Sequence, residues 1–443
     1  YKPETFLGLL SSGHSQLATG NWVFWLLATG YWLPATGFSG YWLLATDYDL
    51  PMPLGLYLSV PFCRTKCSFC NFASGVFSRD LFDRYVRHLE KELARADKIA
   101  FEMGGRFERE VDSAYLGGGT PSVLAPDQLR RLFEAVRQNF SVEKDAEITV
   151  EVAPGTLSPE ILKVLLDSGV NRISLGMQSF VDQETRSVGR LHTREITLRD
   201  IATLRENGIT EISLDLIAGL PYQTPDSWRY SLDETIATGV PHVSVYMLEV
   251  DEDSRLGKEL IAGGTRYHAH FVPNDDATAD FYLEACERLN SAGVKQYEIS
   301  NFARKGHQSR HNLKYWERKP YMGFGVDAHS MLFAPTKRSP HGAVRFSTSD
   351  NLDALLVGGP LMPIEVDEND AIEEVFFLGL RLNRGIDLTV VADDYGRDAV
   401  ERYHEEITEL HESGLVELKD GWLRLTPRGQ LLSNEVFERF LED

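Results

Sequence analysis

The chain predicts an α/β fold: a partial, open barrel of six β/α units, followed by a small winged-helix-like domain. Three observations carry that expectation. From residue 56 to about residue 250, short β-rich runs alternate with helix-like segments, the pattern of a parallel sheet with helices outside. Six such units are too few to close an eight-stranded barrel. Near residue 365 the alternation gives way to helices and then a hairpin.

In order, the runs are Leu56–Val60, Ser113–Leu116, Glu147–Val152, Arg172–Met177, Glu211–Ile217 and His242–Leu248. The helix-like segments between and after them include Leu81–Ala94, Pro126–Phe140, Pro159–Ser168, Glu195–Asn207 and Pro225–Thr238. In the last section Ala371–Leu382 has apolar residues at helical spacing, and Tyr403–Ser413 reads as a helix ending at Gly414. Leu415–Leu418 and Trp422–Leu425 flank Lys419-Asp420-Gly421, a hairpin with an Asp-Gly turn, and Gln430–Leu441 reads as a closing helix.

In parallel α/β sheets ligands gather at the carboxyl ends of the strands, so the residues after each run are the informative ones. After the first run come Cys63, Cys67 and Cys70, three of the four cysteines in the chain. Soft thiolates this close suit zinc or an iron–sulfur cluster. A closed structural zinc site takes four ligands, and the remaining cysteine, Cys286, lies far away in a helical stretch. Three thiolates on a four-iron cluster leave one iron open to bind something else. The second run ends in Gly117-Gly118-Gly119-Thr120-Pro121, where missing side chains let backbone approach a ligand. Glu151 closes the third run, Gln178 the fourth with Arg190 after it, and Asp215 lies in the fifth. A carboxylate inside an apolar strand is costly unless paired or hydrogen-bonded, so these residues suggest one polar ligand site.

A further block runs from Tyr297 to Ser330 and holds His311-Asn312-Leu313-Lys314-Tyr315-Trp316. Imidazole suits heme iron and flat rings stack on a porphyrin, although a lone histidine is more often a hydrogen-bonder. Gly323 and Gly325 read as a tight turn.

Composition bounds the function. The 443 residues are 43% hydrophobic and 25% charged, enough for two or more ordinary globular domains. A net charge of −21 argues against a nucleic-acid surface, including one on the winged-helix-like module. Four cysteines make no disulfide framework, and the close triplet needs reduced thiols, so a cytoplasmic location is expected. Residues 1–50 stand apart, with near-repeats such as Leu17-Ala18-Thr19-Gly20 and Leu27-Ala28-Thr29-Gly30, and four of the seven tryptophans. Their Gly, Thr and Pro interruptions argue against a membrane span, and no basic segment leads into an apolar one as in a secretory signal.

Cys-x3-Cys-x2-Cys with Phe69 before the last cysteine resembles the signature of radical S-adenosylmethionine (SAM) enzymes. The surrounding motifs are similar to the HemN/HemW group, which contains the oxygen-independent coproporphyrinogen III oxidase and a heme chaperone. The resemblance covers roughly Leu54 to Asp443. It implies a radical SAM barrel over residues 51–250, a barrel-completing, family-specific segment over 251–364 and a HemN-type C-terminal domain over 365–443. It implies a [4Fe-4S] cluster on Cys63, Cys67 and Cys70. SAM contacts fall on Tyr57, Gly118, Gly119, Thr120, Glu151, Gln178, Arg190 and Asp215, with Phe69 backing the cluster. Glu249 and His329 fall where the oxidase has small or apolar ligand-site residues. The His-Asn-Leu-x-Tyr-Trp string resembles the chaperone pattern and implies heme contact by His311, with Tyr315 and Trp316 stacking. Phe72 stands where the oxidase has a fourth cysteine, again as in the chaperones, while Ser59 departs from the histidine of both groups. The expected function is therefore heme delivery to acceptor proteins, a membrane-associated acceptor and a homodimer included. The alternatives are coproporphyrinogen decarboxylation and a radical SAM methyl transfer.

Overall fold

The computed structural model describes residues 52–336 and 338–441, so the reading of residues 1–50 as an unassigned leader lies outside the described residues. Its centre is a parallel run of strands: β1 (Leu54–Val60), β2 (Glu110–Gly118), β3 (Ser141–Val152), β4 (Arg172–Gln178), β5 (Glu211–Ala218) and β6 (His242–Met247). The helices α1 (Arg79–Ala94), α2 (Pro126–Asn139), α3 (Pro159–Asp167), α4 (Arg194–Glu206) and α5 (Pro225–Thr238) follow successive strands, in agreement with the expected β/α alternation. Proline opens α2, α3 and α5 because the first helical turn needs no N–H there. Ser158, Thr193 and Thr224 each cap a following helix by accepting a backbone N–H.

The sheet extends beyond the six expected strands. Tyr321–Phe324 adds a parallel strand on the free side of β1, and three antiparallel strands, His329–Phe333, Ala343–Ser347 and Ile364–Val366, continue outward from it. On the other side Asn301–Ala303 runs antiparallel to β6, and Lys295–Gln296 pairs antiparallel with Asn301–Ala303 at the edge. The result, among the described residues, is a 12-stranded open sheet with Ile364–Val366 and Lys295–Gln296 at its edges.

Side-chain alternation decides what faces where. Leu56, Leu58, Ile173, Leu175, Leu214, Leu216, Val243 and Val245 point outward and pack under the helices in the main core. The intervening positions are polar and face inward, in a register that runs Tyr57, Tyr115, Thr149, Arg172 and Glu211 across five strands. The barrel interior is thus built as a polar chamber.

The C-terminal part has a second core around Phe376, Leu423, Val436 and Phe440. Val416–Lys419 pairs with Trp422–Leu425 through Asp420-Gly421, both at positive φ, and Ile386–Asp387 adds a third strand. The expected closing helix Gln430–Leu441 is instead two short helices, Pro427–Leu431 and Ser433–Glu438. Thr426 caps the first, and Gly429 packs so close to the Leu415 carbonyl that a side chain there would clash. That contact pins the first turn, and the chain bends at Leu432. Buried Glu374 joins this part to the sheet by accepting from Arg318 (2.5 Å) and Arg345 (2.7 and 3.0 Å). No helix among the described residues is long and apolar enough to cross a membrane.

Candidate functional site at the barrel mouth

Beyond Val60 the chain loops outward through the cysteines and returns, with Cys63 N–H donating to Gly75 O and Gly75 N–H to Pro61 O, both at 2.8 Å. Ser68 N–H donates to Val188 O (3.1 Å), and the loop is capped from outside where Leu256 N–H donates to Ser68 O (2.8 Å). The loop is therefore tied both to the end of β1 and to segments that follow β4 and β6. Its three free thiols line one cavity of about 230 Å³ at the carboxyl ends of the strands. Burial pushes the Cys63 and Cys67 thiols up, and the neighbouring thiols add to it, while the Arg190 and Arg255 charges pull Cys67 back. A cationic cluster is the natural relief for such a set, since a coordinated thiol is deprotonated outright. Among the described residues no three His, Cys, Asp or Glu are gathered closely enough for a single ion. The donor set fits a multi-iron cluster better than a four-ligand zinc site.

The same cavity collects Phe69, Gly118, Gly119, Thr120, Glu151, Gln178, Arg190, Asp215 and Glu249. Gly119 N–H donates to Val60 O at 2.8 Å, and a side chain at Gly119 would meet the Val60 and Phe62 carbonyls at 2.8–2.9 Å. This close strap is why glycine is needed there. Gln178 sits at a bulge in β4 with φ of 73°, unusual for a side-chain-bearing residue. Its amide and the Arg190 guanidinium both stand over Gly176. Buried Arg190 Nε has no hydrogen-bond partner among the described residues, a donor ready for an anionic ligand group. Asp215 accepts from Ser174 Oγ at 3.0 and 3.1 Å, and burial pushes its carboxyl up. Glu151 accepts from Tyr115 Oη (2.9 Å) and Gly118 N–H (3.2 Å). Burial first, and the charge of Asp215 second, push Glu151 up to about 7.

A second cavity, about 130 Å³, adjoins the first across Tyr115, Gly118, Glu151, Tyr246 and Asn312. Tyr57, His311, Tyr315 and Trp316 line it, so Tyr57 shares this smaller cavity with Gly118 and Glu151 but not the larger one with the remaining expected SAM contacts. His311 is buried, and both ring nitrogens are engaged, Nδ1 with Ser113 Oγ (3.1 Å) and Nε2 with Tyr315 Oη (2.8 Å). Burial and the Lys314 charge push it down to about 3, so its imidazole is neutral. Glu147 holds the start of helix Arg310–Trp316 by accepting from Ser309 Oγ, Arg310 N–H and His311 N–H at 3.0–3.2 Å. His329 lies on neither cavity, buried near Asp327.

Reading only the strand ends missed the inward residues of the strands themselves: Tyr115, Thr149, Ser174, Ser213, His242, Ser244 and Tyr246. Their signal was present. Arg172-Ile-Ser-Leu-Gly and Glu211-Ile-Ser-Leu-Asp alternate polar with apolar, which marks one polar face.

Comparison with known proteins agrees with this geometry. The radical SAM superfamily model matches residues 57–235, and the HemN C-terminal domain model matches 366–432. The E. coli coproporphyrinogen III oxidase HemN, described as a radical SAM enzyme, shares the fold at a TM-score of 0.74 and 24% identity, over 88% of this chain and 90% of that one. The fold and site thus define a radical SAM protein with a HemN-type C-terminal domain. The protein named heme chaperone HemW in Bacillus subtilis is 34% identical over 87% of this chain and 98% of its own length. The E. coli protein of the same name is 31% identical over 88% and 99%. The chain belongs to the HemW family.

Proposed function

We propose that this chain is a heme chaperone that holds a [4Fe-4S] cluster and SAM in the larger cavity and hands heme to acceptor proteins in the cytoplasm. The observation that carries the reading is the convergence of three thiols, Arg190, Gln178, Glu151 and Asp215 on one cavity. The full-length similarity to proteins named heme chaperones supports the cargo. Cys63, Cys67 and Cys70 would hold the cluster, which when bound supplies an electron for cleaving the SAM carbon–sulfur bond. Arg190 would offer its Nε to an anionic group of SAM, and Asp215 and Glu151 would offer carboxyl oxygens to its donor groups. Gly118 and Gly119 leave backbone rather than side chain beside the ligand. His311, Tyr315 and Trp316 are the heme contacts, on the smaller cavity, where aromatic faces suit a flat ring.

The test is anaerobic reconstitution, iron and sulfide analysis, and then titration with hemin. About four irons per chain are expected, with loss of the cluster in Cys67→Ala. A reconstituted protein that does not bind hemin sinks the chaperone reading. Anaerobic conversion of coproporphyrinogen to protoporphyrinogen would instead establish the oxidase.

A further inference from the structure

Behind the aromatic wall of the smaller cavity lies a group of buried polar atoms without hydrogen-bond partners among the described residues. Tyr297–Asn301 runs beside β6, with Val245 N–H donating to Ser300 O at 2.8 Å, and it meets the C-terminal part where Ile299 N–H donates to Arg381 O at 3.1 Å. Arg381 is only 4% exposed, with its guanidinium carbon 4.4 Å from the centre of the Trp316 ring and 5.7 Å from that of Phe437. Among the described residues its Nε and Nη2 have no hydrogen-bond partner, nor do Trp316 Nε1 and Asn301 Oδ1, and Trp316 and Asn301 both line the cavity.

Buried polar groups are nearly always bonded, and a buried guanidinium without partners is costlier still. The contrast within this protein is direct. Buried Arg172 donates twice to His307 O at 3.1 Å, and buried Arg345 is held by Glu374 and Tyr321. Arg381 has nothing comparable at Nε and Nη2. Glu298 and, more weakly, Glu249 are close enough to attract its charge, yet Glu298 Oε2 itself has no hydrogen-bond partner among the described residues. Burial favours the acid form of Glu298, which would lift the competing negative charge and add a donor.

A planar fork of N–H donors stacked on an indole suits a planar carboxylate, bound through two parallel hydrogen bonds. We infer that Arg381 is the counter-charge for a carboxylate of the ligand that enters the smaller cavity, with Trp316 covering the flat apolar body beside it. This rests on the heme reading of that cavity, where the carboxylate is a porphyrin propionate.

Hemin and hemin dimethyl ester, which lacks free carboxylates, separate the possibilities. The wild type is expected to bind hemin at least about tenfold more tightly than the ester, and Arg381→Met to abolish the preference by weakening hemin alone. Should Arg381→Met not fold, Arg381→Lys, which keeps charge but loses the fork, is expected to cut the preference several-fold. Equal binding of both ligands by the wild type, or an unchanged preference in the variant, overturns the inference while leaving heme binding intact. Binding of neither ligand by the wild type defeats the heme reading itself.

Discussion

Tyr115 donates its hydroxyl hydrogen to Glu151 Oε1 at 2.9 Å, and the pair stands on the wall shared by the two cavities. A residue pair in that position feels any ligand on either side, and its proton balance is set by burial rather than by solvent.

Glu151, pushed up to about 7, holds its proton in the folded chain between its ordinary pKa of 4.5 and that value, while the unfolded chain has lost it. The folded state therefore binds more protons in that window, and its stability falls as pH rises from 4.5 to 7. The cost is of the order of 3 kcal/mol when complete. Glu151→Gln is expected to flatten the decline in melting temperature of the ligand-free protein between pH 5 and pH 8 by a few degrees. An identical decline in both proteins would count against a buried, proton-holding Glu151.

Arg190 should matter to ligand and little to fold, because its buried Nε has no hydrogen-bond partner among the described residues. Arg190→Met is expected to weaken SAM binding by about 10- to 100-fold in calorimetry, the worth of a charge-assisted hydrogen bond. Its melting temperature should stay within a few degrees of wild type. Unchanged SAM affinity refutes the assignment.

His311 presents its Nε2 to Tyr315 rather than to open space. Tyr315→Phe keeps the stacking ring and frees that nitrogen. It is expected to bind hemin at least as tightly as wild type, with the Soret band of a histidine-ligated iron, whereas His311→Ala loses that band. Weaker binding by Tyr315→Phe, with the fold intact, would show that the tyrosine hydroxyl itself contacts heme.

Glu374 is pushed down to about 2 by Arg318 and Arg345, which overcome the opposing effect of burial. Its stabilisation is present above the ordinary pKa of 4.5 and fades as pH falls toward 2. Glu374→Gln leaves two buried guanidiniums undercompensated and is expected to cost about 3–5 kcal/mol in urea unfolding at pH 7. The difference from wild type should shrink as pH falls below 4.5. A loss well under 1 kcal/mol would mean the triad does not anchor the C-terminal part.

Much of this was legible before any coordinates. The cysteine spacing, the glycine triplet and the placement of Glu151 and Gln178 at strand ends and Asp215 within a strand follow from local pattern, because a strand's direction and its turn are written in neighbouring residues. The strand Tyr321–Phe324 was not legible as a neighbour of β1, since nothing local says that a segment over 260 residues later pairs there. The break at Leu432 escaped for a similar reason: it depends on how closely Gly429 approaches Leu415.

By itself the sequence determined the α/β class, the cysteine loop after the first strand and the polar residues at the strand ends, because these depend on spacing and local pattern along the chain. Only the tertiary structure decided that the ligand residues divide between two adjoining cavities, with Tyr57 and His311 on the smaller one and His329 on neither. It alone placed Arg381 behind Trp316, with no partner among the described residues for its Nε and Nη2. The physical reason is that burial, and the pairing of buried charge, depend on groups brought together from distant parts of the chain.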